Sequence, residues 1–241
     1  MKTRRLSEID LARFAALQAG RPLEQALRAY NAGGGAWSYD PVRYSTADIL
    51  GASTPLIGAL APVPWSRIQR QIERASNRGA VQSKSNVEVG KVLFDCARRS
   101  GWSAVQLPMG RLPIGNGESV RYWSDVVIEI DNQLVVPFFD HRREHGIANP
   151  SIRQLVFSMQ HLWVRDRMPD LASARLAVLR FPQDGDERSV QLTFHQEADL
   201  LSYEELDERV RVVYETWARV SAEKLAQPKK TGTGGGNPFG F

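Results

Sequence analysis

The pattern of apolar and polar positions changes character along the chain, and its clearest strand-like stretch is Ser119–Arg142, SVRYWSDVVIEIDNQLVVPFFDHR. Val, Ile, Phe, Tyr and Trp fill two arms around Asp131-Asn132-Gln133, which predicts two largely buried strands joined by a tight turn. Elsewhere apolar residues recur at steps of three and four, the signature of helices. This spacing predicts helices over Leu6–Ala19, Pro22–Asn31, Trp65–Arg78, Asn86–Ser100, Ser151–Arg167 and Ser202–Leu225, the last opened by a capping box of Ser202 and Glu205. Ala47–Leu60 is a short apolar stretch ending in Pro62 and Pro64. Further strands are expected at Ala104–Pro108, Ala174–Phe181 and Ser189–Phe194, and loops at Gly33–Gly35, Gly79–Ser85 and Glu144–Asn149.

From Asn86 the order is therefore helix, strand, strand, strand, helix, strand. The expected fold class is α/β, with a mixed central sheet flanked by helices and a helical N-terminal region. Residues 1–80 are expected to cap a core over 81–227, and 228–241, PKKTGTGGGNPFGF, to form a flexible glycine-rich tail. The terminal Pro238-Phe239-Gly240-Phe241 offers a docking peptide for a protein partner; a plain tail is the alternative.

Polar residues inside the apolar pattern carry the candidate chemistry. Asp125 and Asp140 interrupt the two arms of the hairpin. A two-residue turn at Asn132-Gln133 would set them opposite each other, and Arg142 would project from the same face. Acids and a cation buried together are costly unless paired or metal-bound. The pattern thus allows either a structural Asp140–Arg142 pair or a ligand site. Glu88 flanks the apolar stripe of its helix and is equally at home as a first-turn glutamate. Arg67, Arg70, Arg74 and Arg78 form a second stripe on the Trp65–Arg78 helix. Such a row tracks a phosphate backbone or simply makes a solvated basic face.

Composition narrows the classes. The 241 residues carry a net charge of +4, compatible with a polyanionic partner, and one cysteine, Cys96, which excludes an internal disulfide framework and a cysteine-based zinc site. No apolar run reaches membrane-spanning length and no signal peptide is evident, so a cytoplasmic location is expected. His141 and His145 fall at a strand end and a loop, where four-residue spacing does not build a metal site. His161 and His195 are expected to be structural. No Ser-His-Asp or Gly-X-Ser-X-Gly constellation is present.

The element order, with Glu88 on the first helix, Asp125 on the second strand, Asp140-His141-Arg142 on the third and Gln154 or Gln160 on the next helix, resembles the PD-(D/E)XK nuclease superfamily over about residues 86–181. The resemblance implies a restriction-endonuclease-like core and metal-dependent cleavage of DNA. It also implies Mg²⁺ held by Glu88, Asp125 and Asp140, with Arg142 as phosphate clamp and Gln154 or Gln160 orienting. Arg142 replaces the family's lysine, and its pKa is too high for a general base. A catalytically silent module of the same fold, binding nucleic acid or a partner protein, is therefore the alternative expectation.

Overall fold

The structure, a computed structural model, describes residues 5–30, 38–54, 61–108, 110–115, 117–121, 124–142, 146–147, 149–195 and 200–226. The N-terminal linker at Gly33–Gly35, His145 and the tail with Pro238-Phe239-Gly240-Phe241 lie outside the described residues. Helices α1 (Glu8–Ala15), α2 (Arg21–Ala29), α3 (Asp40–Tyr44), α4 (Thr46–Leu50), α5 (Trp65–Ala75) and α6 (Ala80–Arg99) precede the first strand. Strands β1 (Ser103–Gln106), β2 (Arg111–Pro113), β3 (Ser119–Arg121), β4 (Val126–Ile130) and β5 (Gln133–Asp140) lead to helix α7 (Pro150–Arg167). Strands β6 (Arg175–Arg180), β7 (Gln183–Asp184), β8 (Glu187–Arg188) and β9 (Gln191–Phe194) and helix α8 (Tyr203–Ala226) complete the order.

The main sheet runs β1-β4-β5-β6-β9, and every neighbour is antiparallel except β5 and β6. That parallel pair is joined through α7, as a crossover requires. The mixed sheet flanked by helices agrees with the expected fold class. Among the described residues, no helix is long and apolar enough to cross a membrane.

Alternation along β4 and β5 sends side chains into two cores. Val127, Val136 and Phe138 join Leu11, Leu23, Trp163, Val210 and Trp217 on one face, beneath α1, α2, α7 and α8. Val126, Ile128 and Phe139 join Ile49, Ile68, Ile72, Val89 and Leu93 on the other, beneath α4, α5 and α6. The N-terminal helices are thus divided between the two faces. Because both sides of the hairpin are buried, its arms carry nearly continuous apolar runs.

Three expectations are corrected. The hairpin turn is Asp131-Asn132, both at positive φ (51° and 61°), not Asn132-Gln133. Ile128 therefore pairs with Val135, and continuing that register sets Asp125 beside Phe138 instead of Asp140. Asp and Asn tolerate the left-handed region that a two-residue hairpin demands, and Gln does so less readily. The second correction is that α6 starts at Ala80, inside the stretch expected to be a loop. Its polar first turns are buried because they bond the α3 entry: Asn86 accepts from the Val42 amide (3.0 Å), and Asn86 and Gln82 both donate to the Ser38 carbonyl. The third is that α5 ends at Ala75, so Arg78 is not on that helix.

Candidate functional site at the end of the central hairpin

Strand alternation directs Asp125, Asp140 and Arg142 toward the face covered by α1 and α7. Asp140 ends β5 and is fully buried. Its carboxylate accepts from the backbone amides of Arg142 (3.2 Å) and Ile147 (2.6 Å), so it ties the strand end to both. A Cβ at Gly146 would overlap that carboxylate, which explains glycine there. Burial pushes the Asp140 carboxyl above its ordinary range, with the two amides and the nearby Arg142 and Arg180 opposing.

Arg142 does not turn back onto Asp140's carboxylate with its guanidinium. It reaches across to α1, where Nη2 lies 2.9 Å from Asp10. Asp10 is buried and also accepts from the Tyr30 hydroxyl at 3.0 Å and the Ser7 hydroxyl at 2.8 Å. A carboxylate with these partners satisfies the cation and docks α1 on the hairpin end. Sequence reasoning missed Asp10. Its signal was there: it stands four residues after Leu6 and four before Phe14, inside the buried stripe of α1.

Glu88 lies on α6, the helix of the opposite core. It pairs with Arg188 at 3.6 Å and with Lys84 at 3.9 Å. The Arg188 side chain is only 2% exposed, and it also bonds the Tyr39 hydroxyl (3.1 Å) and the His141 carbonyl. Glu88 thus neutralises a buried arginine. Asp125 is half-buried one residue ahead of β4, and its carbonyl accepts from the Leu107 amide. The Gln160 amide, fully buried, donates to the carbonyls of Val136 and Ala177 and so ties the two parallel strands under α7. Gln154 lies half-buried in the first half of α7, where its carbonyl accepts from Ser158.

This donor set does not fit Mg²⁺. The hard-oxygen ligands such an ion needs are committed at Asp140 to backbone amides and at Glu88 to arginine. Among the described residues no group of three or more His, Cys, Asp or Glu side chains is placed to hold a metal ion. Arg67, Arg70 and Arg74 are exposed on α5 and Arg78 just beyond it, away from the hairpin end.

His141 follows Asp140 but belongs to the other face, stacked with Tyr39, Phe139 and Phe181 at centroid distances of 5.8, 5.7 and 5.4 Å. Burial, with Arg43 and Arg188 close by, holds its pKa well below the ordinary histidine range. Above the ordinary pKa neither the folded nor the unfolded chain protonates this ring, and its contribution to stability is whole. As pH falls below that value, the unfolded chain takes up a proton that the native site refuses. Stability is therefore expected to drop by up to about 1.4 kcal/mol per pH unit from this group. Urea titrations of the wild type and His141→Phe between about pH 7 and 5 check this: the variant should lose that part of the slope. Equal slopes would contradict a buried neutral histidine.

Comparison with known proteins places the chain elsewhere than the nucleases. Residues 9–227 match a family described as "Sliding clamp-binding bacterial toxin SocB". The chain is 33% identical over 237 residues to the DNA replication inhibitor toxin SocB of Caulobacter vibrioides, and the match covers 98% of each chain. No solved structure matches. These likenesses overturn the expectation of a metal-dependent DNA nuclease, together with the hydrolase and DNA-binding roles attached to it. Of the alternative, a catalytically silent module binding nucleic acid or a partner protein, the nucleic-acid part falls with them, whereas a protein partner agrees with the family's description.

Proposed function

This chain belongs to the SocB family of sliding clamp-binding bacterial toxins, and on that premise we propose that it inhibits DNA replication by binding a sliding clamp. The observation carrying the reading is the likeness to the Caulobacter toxin across 98% of both chains. The state of the hairpin end supports it. Asp140 and Arg142, which a hydrolytic site would need free, are consumed by Ile147, Arg142's own amide and Asp10. A molecule acting this way works by occupancy, needs no metal of its own, and meets its target in the cytoplasm. Protein, not DNA, is its partner.

The restriction-endonuclease-like form of the core belongs to the same reading. The run α6, β1, β4, β5, α7, β6, with β5 parallel to β6, supports it. Fold and activity are separable, since a scaffold keeps its strand order after its site residues take other partners.

The test is direct binding of the purified chain to the purified clamp of its own host, followed by surface plasmon resonance. Saturable, reversible binding of the folded chain is expected. Absence of binding, combined with Mg²⁺-dependent cutting of DNA, would overturn the reading.

A further inference from the structure

Residues 65–99, which form α5, α6 and the turn between them, carry eight Lys or Arg against three Asp or Glu. This net +5 exceeds the whole chain's +4, so the remainder is slightly acidic. The positive charge is concentrated on one two-helix unit.

Some arginines are paired with carboxylates; among the described residues others, such as Arg21, Arg111 and Arg209, are not, and the α5 row belongs with these. On α2 and α8, Arg28, Arg211 and Arg219 each lie within 2.7 Å of a glutamate. Arg43, Arg142 and Arg188 are likewise paired. Among the described residues Arg67, Arg70, Arg74 and Arg78 pair with no carboxylate; Arg70 bonds only the Ser66 carbonyl. At 100° per residue, Arg67, Arg70 and Arg74 share the side of α5 opposite Ile68 and Ile72, which are fully buried. The row spans about 10 Å of helix axis. Its backing is rigid, because Gly90 of α6 lets Ile72 and Trp65 pack so closely that a Cβ there would meet both.

Beside the row lies an aromatic rim. Trp65 and Phe94 are half-buried at a centroid distance of 5.5 Å, with the Lys91 ammonium 5.7 and 5.9 Å from their rings and Arg98 over Phe94 at 5.1 Å. Val81, near Arg78, is 65% exposed. Arginine and tryptophan around an apolar contact are what protein interfaces concentrate. Lys91 is already held by Asp95 at 2.6 Å, and Glu73, bonded to Gln69, flanks the arginine row. These acids interrupt a track for continuous phosphates but leave room for separate carboxylates.

We propose that the outer face of α5, with the Trp65–Phe94 rim, is the surface this chain presents to the sliding clamp, and that the clamp meets it with a patch of carboxylates. The assignment rests on the clamp-binding reading above. Unpaired arginines on a rigid exposed helix act mainly on the association rate, through charges that steer the partner before contact.

The test compares Arg67→Glu/Arg74→Glu with Arg21→Glu/Arg209→Glu, which makes the same charge change at exposed positions on α2 and α8. Clamp association is followed by surface plasmon resonance at several salt concentrations. The α5 variant should bind at least about tenfold more weakly, chiefly through slower association, with a flatter salt dependence. Its melting temperature should match the wild type because both side chains are exposed. The control should bind nearly as the wild type does. Unchanged clamp binding by the α5 variant would overturn this surface and leave the clamp-binding reading standing, as would an equal loss in the control. Loss of affinity for duplex DNA with clamp affinity intact would also overturn it, by giving the face to nucleic acid. A wild type that binds no clamp overturns both.

Discussion

Asp140→Ala is expected to lower unfolding stability by about 2–5 kcal/mol, from two buried amides left without an acceptor at about 1–3 kcal/mol each. In a chain of this size that is roughly a 5–15 °C fall in melting temperature. The physical basis is specific. The Arg142 and Ile147 amides converge on one carboxylate, against which Gly146 packs so closely that a Cβ there would overlap it. Thermal and urea unfolding of the purified variant measure the effect. An acid kept for metal catalysis would behave oppositely, since removing it relieves a desolvation cost and commonly leaves stability intact. A variant as stable as the wild type would therefore contradict the structural role.

The second large effect concerns the Asp10–Arg142 pair. Asp10→Ala strands the partly buried Arg142 guanidinium and the Tyr30 hydroxyl together. It should cost about 2–3 kcal/mol, discounted from the fully buried case because Arg142 keeps 27% of its side-chain exposure. Arg142→Ala should cost less, because Asp10 retains Tyr30, Ser7 and Arg13. The double variant should fall short of the sum by about 1–2 kcal/mol, the coupling between directly interacting groups. Urea unfolding of the four proteins closes the cycle. Strict additivity would mean that α1 is not latched to the hairpin end through this pair.

Much of the fold could be read from spacing alone. The hairpin arms, the α7 stripe through Leu155, Met159 and Trp163, and the α8 stripe through Leu206, Val210 and Trp217 announce themselves because each buries a regular set of apolar side chains. Tertiary partners decided the rest. Gln82 and Ser85 look like a loop to any pattern that equates polarity with exposure, yet they are buried in a helix, and Gln82 bonds the Ser38 carbonyl alongside Asn86. The register turned on whether Asn132 or Asp131 begins the turn, and chain composition leaves that open by one residue.

The site was legible in placement and not in use. Glu88 and Asp140 sit on the expected helix and strand, and Asp125 just ahead of its strand, in the expected order. Whether a carboxylate is free depends on its neighbours, and those neighbours come from distant chain: Asp10 for Arg142, Arg188 for Glu88, and Gly146 and Ile147 for Asp140. Local spacing carries none of this. The clamp-binding family left no trace in catalytic motifs because binding by occupancy requires none.

The most direct test of that account is clamp-dependent primer extension on a long template, reconstituted with the host polymerase and clamp. Adding the chain should stall elongation, excess clamp should restore it, and extension by the same polymerase without clamp should be unaffected while the template stays intact. Inhibition that persists without the clamp, or a template cut in the presence of Mg²⁺, would contradict the account.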